Sequence, residues 1–229
     1  MLLQKAKDLG ERPVGNLSKW LIAVPFIGLW TLGLPALIAG RLDWFLATPW
    51  DVVFVLLWAG AFAAGTHFYQ PARHRQRPGR TRLVFSLATL VVPLLAIYER
   101  THGPAGSRSA LWAAVGLALF LLGAVLGISA WRALGHWHAP DPNILPSQRL
   151  ITSGPYRLLR HPMYTALLLS LPALPLLLRS LWGLALSLVF IVPALWLRIR
   201  EEEAMLLAEF GDEYRKNMAC TWRLVPFVF

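Results

Sequence analysis

The 229-residue sequence has a single cysteine, Cys220, so it closes no internal disulfide and supports no cysteine-based metal cluster. Charge is scarce too: Asp, Glu, Lys and Arg make up 15% of the chain, where a soluble domain carries about 25%. Acid is the scarcer sign, with 12 Asp and Glu against 22 Lys and Arg and a formal net charge of +10. There is no glycine-rich phosphate-binding run, internal repeat, low-complexity tract or soluble second domain. Together these absences exclude a disulfide-stapled, disordered or collagen-like protein.

Apolar residues are what the chain has in excess, at 56% of the sequence, and the mean hydropathy is +0.52. That balance describes an integral membrane protein whose positive charge faces anionic membrane lipids; nucleic acid is not an expected partner. A helix needs roughly 20 apolar residues to cross the hydrocarbon layer. The stretches Trp20–Ala39, Trp50–Phe68, Leu83–Tyr98, Ala110–Trp131, Met163–Leu178 and Leu181–Leu197 are candidates. Only Arg179-Ser180 separates the last two, which predicts an antiparallel helical hairpin.

With the N-terminus inside and six spans, every Lys and Arg except Arg41, Arg100, Arg108 and Arg179 falls on the cytoplasmic side. Five spans result if one segment is re-entrant. The same rule accounts for the Arg73–Arg82 cluster as topogenic charge. Trp20, Trp44, Trp50, Trp112, Trp131 and Trp182 lie near span ends and read as interfacial anchors. The polar first 19 residues lead into a full-length apolar span, so that span is expected to be retained rather than cleaved. The expected architecture is an all-α polytopic bundle of about six spans in one domain, residues 1–229. Residues 1–131 form the bundle; 132–229 carry the catalytic loop, the hairpin and a C-terminal amphipathic helix.

Polar residues gather in two segments flanking the hairpin, Arg132–Pro162 and the tail after Leu197, and the short hairpin turn brings them together. In the first, Gly154-Pro155 signals a turn and Pro162 opens a helix, where its missing N–H costs nothing. The start of that helix, beside Arg160 and His161, offers N–H groups and a positive dipole suited to a carboxylate. In the second, Leu206, Leu207, Phe210 and Tyr214 recur at helical spacing, and Gly211 marks a break. Of Glu201, Glu202 and Glu203, one is expected to meet a cation, while Glu201 and Glu203 read as a solvated face.

The string Gly154-Pro155-Tyr156…Arg160-His161-Pro162-Met163-Tyr164, a hairpin, then Glu202-Glu203…Phe210-Gly211…Tyr214, resembles the isoprenylcysteine carboxyl methyltransferase family. That family sits in a wider group with the phospholipid methyltransferases. The resemblance covers roughly Leu150 to Phe227. It implies a membrane enzyme that binds S-adenosyl-L-methionine in a cytoplasmic pocket and methylates a lipophilic small-molecule or lipidated acceptor. Transferred residue by residue, the cofactor contacts fall on Gln148, Arg149, Leu150, Ile151, Tyr156, His161, Pro162, Met163, Tyr164 and Glu202. Arg198 takes the place that holds the acceptor's polar end, and Arg198, His161 and Glu202 stand nearest the chemistry. Glu202 suits the cofactor's ammonium, and Tyr156 and Tyr164 suit its adenine or sulfonium.

Two positions depart from the pattern: Ala166 replaces a glycine, and Asn217 stands where a tyrosine often follows Tyr214. The implied reaction is methylation of a carboxylate, prenylcysteine-like, or of a thiol. Alternatives are phospholipid N-methylation, a membrane reductase using NADPH, and a transporter, although transporters place ionisable groups inside their spans. His136, His138 and Asp141 have spacing that could hold zinc, but the resemblance requires no metal and none is expected.

Overall fold

The computed structural model describes residues 28–68, 80–103, 109–135 and 149–227. Gln148, His136, His138, Asp141, the N-terminal 19 residues and most of the Arg73–Arg82 cluster lie outside them. The described residues are helical and contain no strand. They divide into two compact units, one within residues 1–69 and one within residues 70–229.

In the first unit a π-helical turn, Leu29–Gly33, runs into α1, Leu34–Ala39. α1 ends at Gly40, whose φ is 69°. A 3-10 turn, Trp44–Leu46, then leads into α2, Pro49–Phe68. Trp44 is not the interfacial anchor its place in the sequence suggests. It is buried, with its ring edge-on to Phe54 at 6.4 Å, because α2 returns over the turn.

The second unit holds α3 (Arg80–His102), α4 (Ala110–Leu134), α5 (Pro162–Leu177) and α6 (Leu181–Cys220). α5 packs mainly on α4, α6 on α3, and α5 on α6 as the expected hairpin. Arg179 and Ser180 make the joint. Arg179 adopts a positive φ of 59°, and the Ser180 N–H donates to the Pro175 carbonyl at 2.8 Å. Ser180 caps α6 by accepting from the Gly183 N–H at 2.9 Å. Glu99 of α3 adds a carboxylate there, accepting from the Ser180 hydroxyl and from the Trp182 N–H at 3.0 Å. Negative charge at a helix start is favourable, so the far end of the hairpin is firmly tied.

Among the described residues, α4 and α6 are long and apolar enough to cross a membrane. Both turn large apolar side chains outward, including Leu122, Val125, Val189 and Val192, as a lipid-facing surface requires. α5 has 16 residues and rises roughly 24 Å, short of the ~30 Å hydrocarbon core. α6 differs from the expected span plus separate amphipathic helix. It runs without interruption from Leu181 past Leu197 to Phe210, since nothing in Arg198–Phe210 breaks a helix. The break does come at Gly211, at φ 49° and ψ −118°, which a side chain would strain. Cys220, at the helix end, is exposed.

α4 and α5 approach through glycine. A Cβ at Gly123 would lie 2.3 Å from the Ser170 hydroxyl oxygen and 2.9 Å from the Ala166 carbonyl oxygen. Ala166, the departure noted above, is accommodated from the other side: a Cβ at Gly127 would stand at an ordinary 3.4 Å from its methyl. Gly123→Val should therefore wedge the two helices apart at a cost of about 1–3 kcal/mol. Thermal unfolding in detergent should show a midpoint roughly 3–10 °C lower.

Candidate active site

At the hairpin mouth, the residues preceding α5 form a 3-10 turn, Gly154–Arg157, and then an extended stretch. That stretch does not stand alone. The chain leaving α6 pairs with it in parallel at Leu159 and Trp222: the Arg160 N–H donates to the Trp222 carbonyl at 2.7 Å, the Trp222 N–H to the Leu158 carbonyl at 3.0 Å, and the His161 N–H to the Arg223 carbonyl at 3.2 Å. The Thr165 hydroxyl donates to the Leu224 carbonyl at 2.8 Å, and Leu224 packs on Ile191, Leu195 and Ile199. The apolar ending thus returns to the bundle at Leu224, while Phe227 is exposed and tilts against Trp222.

A charge cluster locks this junction. Glu203, read from sequence as a solvated face, is buried, with 8% of its side chain exposed. Arg223 grips its carboxylate with two nitrogens, at 3.0 and 2.8 Å. His161 Nε2 lies 3.4 Å from Oε1, and Arg160 Nε 3.2 Å. Burial opposes the charged form of Glu203, but the hydrogen bonds and positive charge of His161 and Arg223 outweigh it, and the carboxyl is pulled down to about 2. Arg160 also donates through Nη1 to the carbonyls of Met218 and Thr221, at 2.8 and 3.1 Å.

Beside the cluster opens a cleft that is open to solvent and encloses about 120 Å³. Eight of the ten residues expected to contact a cofactor line it: Arg149, Leu150, Ile151, Tyr156, His161, Met163, Tyr164 and Glu202. Pro162 is buried behind them, and Gln148 lies outside the described residues. Tyr164 joins both sides of the site: its hydroxyl donates to Glu202 at 2.5 Å and accepts from Arg198 Nε at 2.9 Å. The Arg198 guanidinium sits 5.9 Å from the Tyr164 ring centre, and Arg198 is buried. His161 stacks on Tyr164 at 5.6 Å. Burial, and then the charge of Glu202, push the Tyr156 hydroxyl well above its ordinary value.

Two features were not anticipated. The start of α5 offers fewer donors than its sequence suggests, because the N–H groups of Tyr164 and Thr165 both donate to the His161 carbonyl, and Pro162 has none. The opposite wall is built by Leu206, Phe210, Tyr214 and Asn217, with Leu134 and Arg160. Glu202, Leu206 and Phe210 share one helical face, so the stripe read as lying on the bundle or membrane surface faces the cleft instead. No group of three potential metal-ligating side chains occurs among the described residues.

The solved structure of the eukaryotic intramembrane Ras methyltransferase ICMT, an isoprenylcysteine carboxyl methyltransferase, superposes with a TM-score of 0.64, covering 89% of this chain and 74% of that one. At 21% identity, this likeness shows a shared helical fold. Comparison with curated proteins finds no match. Residues 111–213 match the phospholipid methyltransferase family model.

Proposed function

We propose that the protein methylates a lipophilic acceptor with S-adenosylmethionine as donor, the acceptor being a carboxylate, prenylcysteine-like, or a thiol that reaches the cleft from the bilayer on the cytoplasmic side. The observation that carries this is the line Arg198–Tyr164–Glu202, in which one phenol links a buried cation to a carboxylate at the cleft. Such a line has an end for an anionic acceptor and an end for a cationic ligand.

The donor set of the cleft fits an S-adenosyl ligand. Glu202 meets its ammonium, Tyr156 and Tyr164 offer π faces to a sulfonium or purine, and Leu150, Ile151, Leu206 and Phe210 supply apolar walls. When bound, the ligand supplies an electrophilic methyl group on sulfur. The protein's own work is to hold and orient. Arg198 fixes the acceptor, and Tyr164 keeps Arg198 and Glu202 in register. An anionic acceptor needs no strong base, which agrees with a site where His161 is engaged by Glu203.

The family match favours a second reading, a phospholipid amine as acceptor. An amine must lose a proton and gains nothing from the Arg198 cation. Purified protein in nanodiscs, given methyl-labelled S-adenosylmethionine, should label a prenylcysteine carboxylate or a thiol and not phosphatidylethanolamine. Transfer only to phosphatidylethanolamine would exchange the two readings. Glu202→Gln should weaken S-adenosylhomocysteine binding roughly 10- to 100-fold by removing the charge opposite the ammonium. Wild-type affinity in that variant would remove the site assignment.

A further inference from the structure

Tyr214 is buried, with 2% of its surface exposed, and it lines the cleft. Its hydroxyl is shut off from solvent yet has no hydrogen-bond partner in the protein. Buried phenols are ordinarily satisfied, so an orphan hydroxyl on a residue that lines a cleft is a candidate donor to a ligand atom. Burial, and then the charge of Glu203, keep this hydroxyl protonated, so it is a donor seeking an acceptor. Arg160 lines the same cleft. Its Nε is buried and near Glu203 but lacks an aligned hydrogen bond.

The ligand proposed above carries a zwitterionic end, and its carboxylate needs donors. The start of α5 has spent two of its N–H groups on the His161 carbonyl. Glu203, meanwhile, is outnumbered by Arg160 and Arg223. The cluster beside Tyr214 thus holds two arginines against the one carboxylate of Glu203, which is itself the charge that acts most on the Tyr214 hydroxyl, and Glu202 adds a second carboxylate to the cleft.

We propose that Tyr214 and Arg160 form a carboxylate-binding corner that takes the amino-acid carboxylate of the S-adenosyl ligand, while Glu202 takes its ammonium. This rests on the methyltransferase reading. It gives the wall beyond Gly211 a role: Tyr214 lines the cleft with Glu202, Leu206 and Phe210 of the preceding turns.

The test compares two ligands on the full-length protein in nanodiscs: S-adenosylhomocysteine, and its decarboxylated analogue S-adenosyl-3-thiopropylamine, which keeps nucleoside and ammonium. Tyr214→Phe deletes only the orphan hydroxyl, so the ligand-free thermal midpoint should be unchanged or higher. Its affinity for S-adenosylhomocysteine should fall about 5- to 15-fold, with the decarboxylated analogue unaffected. Glu202→Gln should weaken both. Equal weakening of both ligands by Tyr214→Phe would overturn the carboxylate assignment, as would unchanged affinity for S-adenosylhomocysteine. If the wild type fails to bind S-adenosylhomocysteine at all, the methyltransferase reading falls along with this inference.

Discussion

Glu203→Ala should be among the most destabilising single changes in this chain. The side chain lies under the junction of the loop before α5 and the segment after α6, and its removal strands Arg160 and Arg223, whose side chains are 11% and 20% exposed. Breaking such a cluster by deleting one partner costs about 3–5 kcal/mol, because the remaining charges stay buried without compensation. For a chain of this length that corresponds to a thermal midpoint roughly 6–20 °C lower in detergent. The variant should also lose protection from proteolysis between Thr221 and Phe227, since Arg223 is anchored through Glu203.

The pH dependence carries the same signature. The folded-state carboxyl lies at about 2, below its ordinary 4.5. Its contribution is therefore complete above pH 4.5, shrinks as pH falls through that window, and is gone below about 2. Glu203→Gln should thus differ most from wild type at neutral pH and converge with it in acid. A constant difference down to pH 2 would show that packing, not charge, holds the junction.

The features legible in the sequence were those set by local spacing. Arg179-Ser180 between two apolar runs dictates a hairpin, and Gly211 dictates a break; both are found. The cleft's near wall, from Arg149 to Tyr164, was legible because one continuous string carries it. The partner of Glu203 was not. Arg223 sits in an irregular segment with no periodicity, and only the return of Trp222 alongside Leu159 brings it near. Leu206, Phe210 and Tyr214 showed the right period, but an amphipathic stripe does not say whether lipid, protein or ligand covers it. Arg198 and Glu202 share a face of α6 by their i, i+4 spacing. Tyr164 bridging them from α5 depends on the register of the packed hairpin, which the turn alone does not set.

Arg198→Lys should nearly abolish transfer to a carboxylate acceptor while sparing donor binding. The guanidinium is buried, held by the Tyr164 hydroxyl at 2.9 Å and placed over its ring, so its fork is oriented before any acceptor arrives. Lysine keeps the charge but loses the fork and the planar stacking. With a bidentate contact reduced to a point charge, kcat/KM for the acceptor should drop about 10²- to 10³-fold. S-adenosylhomocysteine affinity should change less than about threefold, because Glu202 keeps its hydrogen bond from Tyr164. Tyr164→Phe should do the reverse in part: it frees Glu202 and Arg198 from each other, so donor affinity and acceptor turnover should fall together. The acceptor class decides the outcome. An amine acceptor gains nothing from a cation at this position, so Arg198→Lys would leave its methylation within a fewfold of wild type. A large loss with the carboxylate, alongside intact donor binding, would place the acceptor's charge against Arg198. Equal activity in wild type and variant would assign the acceptor to the amine class and leave Arg198 as a structural partner of Tyr164.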